Sequence, residues 1–507
     1  MVKSGFVVID FGSQFTQLIA RRFRELGYFA EVVPYTTSIS DIQSKKPVGI
    51  ILSGGPHSVY EDKAPHYDVD QLEKISPILG ICFGMQLIAH QKAGKVSPSV
   101  IREYGRTEIE WNNSQIYQCK RQEVWMSHGD IIEEAPSGFR VTAKTHNGLP
   151  AAMESERIWA IQFHPEVAHT QNGKAIFSAF ANLCQAVPSW DDQSIVETLV
   201  EDLSRITPKG RILCALSGGV DSSVTALLLK KVFGSERVEC VFVNNGLLRK
   251  NEYESVLKMY QGLGLNVRGV EAETHFLNAL KGLTDPEQKR KAIGRCFIEV
   301  FESLLPELQD IEYLAQGTLY PDVVESVTPF GGPTHTIKSH HNVGGLPEKM
   351  KLKVIEPLRW LFKDEVRRIG ELLGLSHEMV HRHPFPGPGL GIRIMGEVKK
   401  QDLEILREVD AIFIENLKSA ELYSQIWQAF CVLLPVHTVG VQGDGRTYEK
   451  VVALRAVTSS DGMTADWFDF ETQFLKRVSN EITNRVSGVN RVVYDITAKP
   501  PATIEWE

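Results

Sequence analysis

The chain has 507 residues, 43% of them hydrophobic and 23% charged, which is apolar mass enough for about three domains of ~150 residues each. Its 55 basic and 63 acidic residues leave a net charge of −8, which argues against a general nucleic-acid or membrane surface. Seven scattered cysteines without a C-x-x-C pair argue against a disulfide framework or a zinc site and fit a reducing compartment.

Met1-Val2-Lys3-Ser4-Gly5 leads straight into a strand-like run, with no signal-peptide pattern, and no apolar segment is long enough to span a bilayer. The expected location is cytoplasmic. Phe6 to Asp10, Glu31 to Pro34, Gly49 to Leu52 and Ile78 to Ile81 read as strands, with a helix from Gln14 to Leu26 between the first two. Such alternation predicts a parallel α/β sheet, with its site just beyond the carboxyl ends of the strands. Ser53-Gly54-Gly55-Pro56 follows the third run, and Gly80-Ile81-Cys82-Phe83-Gly84 ends the fourth. The second is a G-x-C-x-G nucleophile elbow, where a sharp strand-to-helix turn exposes the thiol and the helix dipole favours thiolate. A lone cysteine is more often a small buried hydrophobe, but the elbow context reverses that weighting.

A thiolate nucleophile needs a base and a group to orient that base. The strand Ile158 to Phe163 ends in His164-Pro165-Glu166, which supplies an imidazole and a carboxylate. Taken with Cys82, these stretches resemble the class I glutamine amidotransferases over roughly residues 5–187. The resemblance implies ammonia release from glutamine through a thioester on Cys82, with His164 moving the proton and Glu166 holding its tautomer. It also implies an oxyanion hole at Gly54-Gly55, from the N–H groups of Gly55 and Phe83. Glutamine contacts would come from Gln86 and from Ser127-His128-Gly129-Asp130.

Pro188 to Asp192 marks a break, a helix from Ile195 to Ile206 fills a linker, and Pro208-Lys209-Gly210 opens the next domain. Arg211 to Leu216 is a buried-type strand. Ser217-Gly218-Gly219-Val220-Asp221-Ser222-Ser223 joins it to a helix that runs on to Val232. Free backbone N–H groups and a helix N-terminus make this a place for an anion, and Asp221 suits a phosphate that carries Mg²⁺. The bland alternative is a tight turn with an Asp/Ser cap. The S-G-G-x-D-S pattern favours a nucleotide site, and no Walker A sequence occurs. The stretch resembles the pyrophosphate loop of N-type ATP pyrophosphatases, which split ATP into AMP and pyrophosphate. That resemblance implies an adenine contact at Val243, where Val238 to Val243 ends, and an ATP contact at Gly317, which follows the strand Ile311 to Ala315. Many members carry Asp where this chain has Asn244.

Lys289, Arg290, Lys291 and Arg295 form a basic run, ordinarily a solvated helix face; the family makes Arg290 a candidate for the acceptor phosphate. Residues 334–347 read as a closing loop, with Lys338 neutralising phosphate. Its adjacent His340 and His341 point apart and do not suggest a metal.

Arg382-His383-Pro384-Phe385-Pro386-Gly387-Pro388-Gly389-Leu390-Gly391 is too rich in proline and glycine for helix or central strand, so it reads as a shaped linker. A strand (Gly391 to Val398), a helix (Leu403 to Lys418), the runs Phe430 to Leu434, Val436 to Val441 and Val451 to Val457, a helix (Phe468 to Val486) and a strand (Val489 to Ile496) predict a small α+β unit. The last residues, Lys499-Pro500-Pro501-Ala502-Thr503-Ile504-Glu505-Trp506-Glu507, look docked rather than frayed. Linker and tail together give the whole chain a resemblance to the bacterial, glutamine-hydrolysing GMP synthase family. It implies XMP contacts from Arg290, Gln442, Lys499, Ile504 and Glu505, and a homodimer through the last domain.

The expected class is therefore α/β, with two parallel-sheet α/β domains followed by a small α+β dimerisation domain. The expected boundaries are 1–190, a linker helix at 191–207, 208–382 and 383–507. The implied reaction turns ATP, XMP, glutamine and water into GMP, glutamate, AMP and pyrophosphate. Synthases that adenylate citrulline, nicotinate adenine dinucleotide or a tRNA base share the central loop, and the amidotransferase-like first domain argues against them. A nucleotide-sensing module with decayed sites should have lost a triad or loop residue, and Cys82, His164, Glu166 and Asp221 are all present.

Overall fold

Strands that are apolar at nearly every position can be buried on both faces, which is the situation of a parallel sheet. In the computed structural model, β1 (Phe6–Asp10), β2 (Ala30–Pro34), β3 (Gly49–Leu52), β4 (Ile78–Ile81) and β9 (Ile158–Ile161) behave this way. They pair in the order β2-β1-β3-β4-β9, all parallel. The structure describes residues 5–62, 64–206, 209–304, 306–307, 310–326, 352–442, 444–459 and 464–507.

The sheet does not stop where the parallel reading does. It continues antiparallel from β9 through β8 (Pro150–Glu154), β7 (Arg140–Thr145) and β5 (Lys95–Trp111) to β6 (Arg121–Glu134), for nine strands in all. β6 alternates buried and part-exposed residues, the period-two pattern of a strand with one face on the core. This arm carries Ser127 and His128 back towards the elbow.

The chain divides into two units, Met1–Ile195 with Tyr320–Thr336, and Val196–Leu319 with Ile337–Glu507. The linker helix spans Asp192–Ser204. In the second unit, β10 (Arg211–Leu216), β11 (Val238–Asn244), β12 (Val267–Glu271), β13 (Ile311–Ala315) and β14 (Lys353–Ile355) form a parallel sheet ordered β12-β11-β10-β13-β14. A second sheet follows in the same unit, built from β15 (Gln428–Gln442), β16 (Gly445–Thr458), β17 (Asp466–Trp467) and β18 (Val489–Tyr494).

Three expectations change here. The strand predicted over Gly391 to Val398 is a 3-10 turn, Gly389–Ile392, followed by a single bridge from Ile394 to Leu433. Just ahead of it, Gly389 takes φ +61° and brings its backbone onto Leu247, a close approach that leaves no room for a Cβ. The runs Phe430 to Leu434 and Val436 to Val441 are one strand, with a register shift between Leu434 and His437. The last long helix starts at Thr472 rather than Phe468, whose N–H instead bonds the Ala456 carbonyl at 2.9 Å.

One apolar core joins the nucleotide-type sheet to the C-terminal sheet. It runs through Leu213, Val241, Ile293, Leu390, Leu406, Leu433 and Val489.

Candidate active sites

The first site grows from two close approaches of backbone. A Cβ on Gly84 would lie 2.3 Å from the Leu52 carbonyl oxygen, and one on Gly80 would lie 2.9 Å from the Gly84 carbonyl carbon. Neither position has room for a side chain, so the turn between β4 and the helix Phe83–Gln91 can be as sharp as it is. The sharpness falls on Cys82, at φ +53° and ψ −107°, a conformation that costs a non-glycine residue on the order of 1–3 kcal/mol. Cys82 caps the helix, and its sulfur lies 3.8 Å from both the Ser127 carbonyl and Gln162 Nε2. Phe83 is the first helical residue, so its N–H is one of those a helix leaves without an internal acceptor.

His164 stands past the end of β9 with its Nδ1 2.7 Å from Glu166 Oε1, and both side chains are almost sealed from water. Nδ1–H donates to the carboxylate. Burial alone would depress the imidazole, but Glu166 and the Cys82 sulfur outweigh it and raise its pKa well above the usual value. The backbone is pinned as well: Arg22 Nε donates to the Glu166 carbonyl at 2.9 Å, and Thr170 Oγ1 to the His164 carbonyl at 2.6 Å. Phe15 meets the imidazole edge-on at 5.3 Å.

The other first-unit residues named from sequence divide into two groups. A Cβ on Gly54 would come 3.1 Å from His164 Cε1, so this glycine lies against the triad, and Gly55 follows it. Ser127 reaches the thiol through its carbonyl. Gln86 is buried and donates to the Asp130 carbonyl at 3.2 Å and to Gln162 Oε1 at 3.4 Å. His128 turns inward: Nδ1 donates to the Asp130 carbonyl at 2.9 Å, and Nε2 lies 3.2 Å from Glu103 without hydrogen-bond alignment.

The second site starts where β10 ends. Gly218 has φ +76°, the left-handed region in which a Cβ is unfavourable. Gly219 caps the helix Val220–Phe233. Ser217 and Ser222 hold the loop, their hydroxyls 3.1 Å apart, and Ser222 Oγ accepts from the Ser217 N–H at 3.2 Å. Ser223 is fully buried, donating to the Gly219 carbonyl at 2.8 Å and lying 2.9 Å from the Tyr260 hydroxyl. It therefore braces the loop from below, and burial pushes the Tyr260 hydroxyl up to about 12. Asp221 pairs through one oxygen with Lys363, while Oδ1 is buried with no hydrogen-bond partner. A Cβ on Gly317 would lie 3.3 Å from Asp221, so that strand end packs directly against the carboxylate's backbone.

A cavity of about 560 Å³ opens from this loop, within the usual size of a small-molecule site. Its walls bring together Ser217 and Asp221, the β11 end at Val243, the basic run at Arg290, Lys291 and Arg295, and the linker from Phe385 to Gly389. Asn244 does not face it freely. Its amide donates to Glu271 at 2.8 Å and its carbonyl accepts from the Gly246 N–H at 3.1 Å.

The tail is docked. Arg393, fully buried, lies 4.2 Å from the Phe430 ring centre and grips Glu505 at 2.8 and 3.2 Å. Arg455, also fully buried, donates to the Thr497 and Thr503 carbonyls at 2.6 and 3.3 Å. Ile504 packs with Phe430, Val432 and Val457. Lys499 pairs its backbone with Ala465. Arg290, the candidate for an acceptor phosphate, donates to the Glu507 carbonyl at 2.6 Å, and Lys289 holds the Glu507 carboxylate at 2.5 Å. Gln442 ends β15, and its side chain lies outside the described residues, as does Lys338.

Lys363, Lys289, Arg393 and Arg455 were not singled out from sequence as site residues. For Lys289 a signal existed: it shares a helix face with Ala292, Ile293 and Cys296, where a charge must find a buried partner.

Comparison with known proteins bears on each part in turn. The family "Glutamine amidotransferase class-I" matches residues 7–183, "NAD synthase" matches residues 193–294, and "GMP synthase C terminal domain" matches residues 415–506. A GMP synthase [glutamine-hydrolyzing] of Bdellovibrio bacteriovorus is 59% identical over 505 residues, covering 99% of this chain and all of that protein. One of the same name from Christiangramia forsetii is 53% identical over 513 residues, covering the whole of both chains. Another, from Chlorobaculum tepidum, is 51% identical over 513 residues, covering 99% and 98%.

Proposed function

Because the chain belongs to the glutamine-hydrolysing GMP synthase family, we propose that its two sites divide one reaction between them. The enzyme aminates XMP to GMP, consuming ATP, glutamine and water and releasing AMP, pyrophosphate and glutamate through an adenyl-XMP intermediate. At the first site, Cys82 attacks the glutamine amide carbon. His164 takes the thiol proton and gives it to the nitrogen that leaves as ammonia; water, activated by His164, then cleaves the thioester, which frees glutamate and restores the Cys82 thiol. Glu166 fixes the reacting tautomer and offsets the positive imidazolium. The N–H groups of Gly55 and Phe83 hold the oxyanion. Gln86, Ser127 and His128 belong to the surroundings that receive glutamine, Ser127 by its backbone and the other two as buried supports.

At the second site, Ser217, Gly218, Gly219, Val220 and Ser222 cradle the ATP phosphates, with Ser223 beneath them. Val243 and Gly317 flank the nucleotide, and Lys338 is assigned to phosphate. The buried, unpartnered Oδ1 of Asp221 fits a cation, so Asp221 is the residue that would hold Mg²⁺, which neutralises phosphate charge when bound. XMP is assigned to Arg290, Gln442, Lys499, Ile504 and Glu505. Arg290 is carried by its place in the cavity wall, where loop, basic helix and linker meet, and the other four rest on the family resemblance.

The domains proposed are 1–190, the linker helix 191–207, 208–382 and 383–507. A homodimer through the last is supported by exposed apolar residues on one face of the β15–β16 hairpin. Val439 and Tyr448 are register partners there, with Val441 beside them, and all three are exposed. A cytoplasmic location fits the seven free cysteines. Among the described residues no helix is long and apolar enough to cross a membrane.

The test supplies Mg²⁺-ATP and XMP with either glutamine or ammonium ion, following AMP and GMP. GMP should form from both nitrogen sources. AMP release with citrulline in place of XMP would overturn the assignment, and sedimentation of the purified protein tests the dimer.

A further inference from the structure

Away from the residues assigned to the reaction, two helices place a sulfur, a nitrogen and an oxygen around one point. Cys296 and Glu299 stand three residues apart on the helix Pro286–Leu304, hence on one face. His275 comes from the neighbouring helix Glu273–Leu280. The two helices are locked by Phe276 and Phe297, whose rings meet edge-to-face at 4.8 Å. His275 Nε2 is 2.8 Å from Glu299 Oε2, and one ligand atom from each of the three residues lies within 4.8 Å of the others. Cys296 is buried, whereas the side chains of His275 and Glu299 are 47% and 44% exposed. The sulfur is thus buried, and the nitrogen and oxygen beside it belong to exposed side chains.

We propose that His275, Cys296 and Glu299 form a binding site for a thiophilic divalent transition-metal ion of the Zn²⁺ class, distinct from the Mg²⁺ of the nucleotide site. Thiolate, imidazole and carboxylate together are a borderline-soft donor set, suited to Zn²⁺ or Co²⁺ and poor for Mg²⁺ or Ca²⁺, which require oxygen donors. Three protein ligands leave a fourth, tetrahedral position, which water can fill because His275 and Glu299 are exposed. Capture releases the Cys296 proton to solvent. Glu299 also lies 3.6 Å from Arg295, a cavity-wall residue, so a bound ion competes with Arg295 for that carboxylate.

The test is titration of the full chain with Co²⁺, whose bond to a thiolate gives a near-ultraviolet charge-transfer band. The band should appear at one equivalent, collapse on adding Zn²⁺ and persist under excess Mg²⁺. Cys296→Ser should abolish it. His275→Ala, at an exposed position, should weaken Co²⁺ binding at least tenfold, the lower end of what even outer-shell changes cost at metal sites. A band that survives His275→Ala unchanged belongs to another thiol and overturns the proposal, as does the absence of any band. If Cys296→Ser fails to fold, His275→Ala decides alone. The ATP-dependent reaction is not used as a readout, so failure here leaves the assigned function standing.

Discussion

At the thiol, His164 and Glu166 are 3% and 0% exposed and touch at 2.7 Å, all within one strand end. At the nucleotide loop, Asp221 gives one oxygen to Lys363 and leaves the other without a partner, while the basic side chains arrive from a separate helix. The first arrangement is complete before any substrate enters, because a buried imidazole and carboxylate are tolerable only as a pair. The second, on the proposed assignment, is completed only by the arriving polyanion. Its Asp221–Lys363 contact is partly exposed, the kind of ion pair worth about 0–1 kcal/mol and cheap to exchange. One site is preorganised for a neutral amide, the other for a charge that arrives with its own counterion.

Four experiments press on that contrast. Cys82→Ala should cut glutamine-dependent GMP formation by ~10⁴-fold or more, as removal of a nucleophile does. Ammonium-driven formation should stay within about twofold. Loss of both would mean that the sites are not separable. Glu166→Gln should lower glutaminase turnover by roughly 10²–10⁴-fold, by analogy with a triad carboxylate. Burial lowers and Glu166 raises the His164 pKa, so losing the carboxylate lets it fall. The alkaline limb of the glutamate-release profile, where imidazolium is lost, should then move to lower pH. An unmoved limb would reduce Glu166 to a steric brace. Asp221→Asn should slow XMP-dependent AMP release by about 10²-fold, the scale of one lost electrostatic contact, with glutaminase turnover unaffected.

The smallest effect tests a third way of handling burial. His383 in the linker stacks on Tyr423 at 3.7 Å, and burial depresses its pKa to about 4. The unfolded chain, near 6.5, takes up the proton first as pH falls. Stability from the neutral ring is thus complete above about pH 6.5 and is lost as pH falls towards the folded value, about 2 kcal/mol of it by pH 5. His383→Gln should flatten the acid side of a denaturant-unfolding series. An unchanged slope would mean that the ring titrates normally.

Much of this was legible in the chain. Apolar runs located the parallel strands because two-sided burial leaves little choice of residue. The elbow and the S-G-G-x-D-S loop were legible because strained turns admit few side chains. The antiparallel arm over residues 95–154 was not, since its period-two pattern is broken by polar loops and register shifts. Arg393 and Arg455 were invisible because a buried guanidinium looks like a surface one until its carbonyl and carboxylate partners fold onto it. The His275–Cys296–Glu299 group had no local spacing to betray it, being assembled across two helices.

The apolar core that runs from Leu213 beneath the nucleotide loop to Val489 in the last sheet also sets how this part of the molecule melts. Because they share this apolar core, the two sheets should lose structure in one cooperative transition. A fragment cut at residue 382 would expose Ile293 and Leu247 where Leu390 and its neighbours now lie, and such a fragment should precipitate or bind hydrophobic dyes rather than fold. Heat capacity, more than sequence similarity, would then count the true number of folding units.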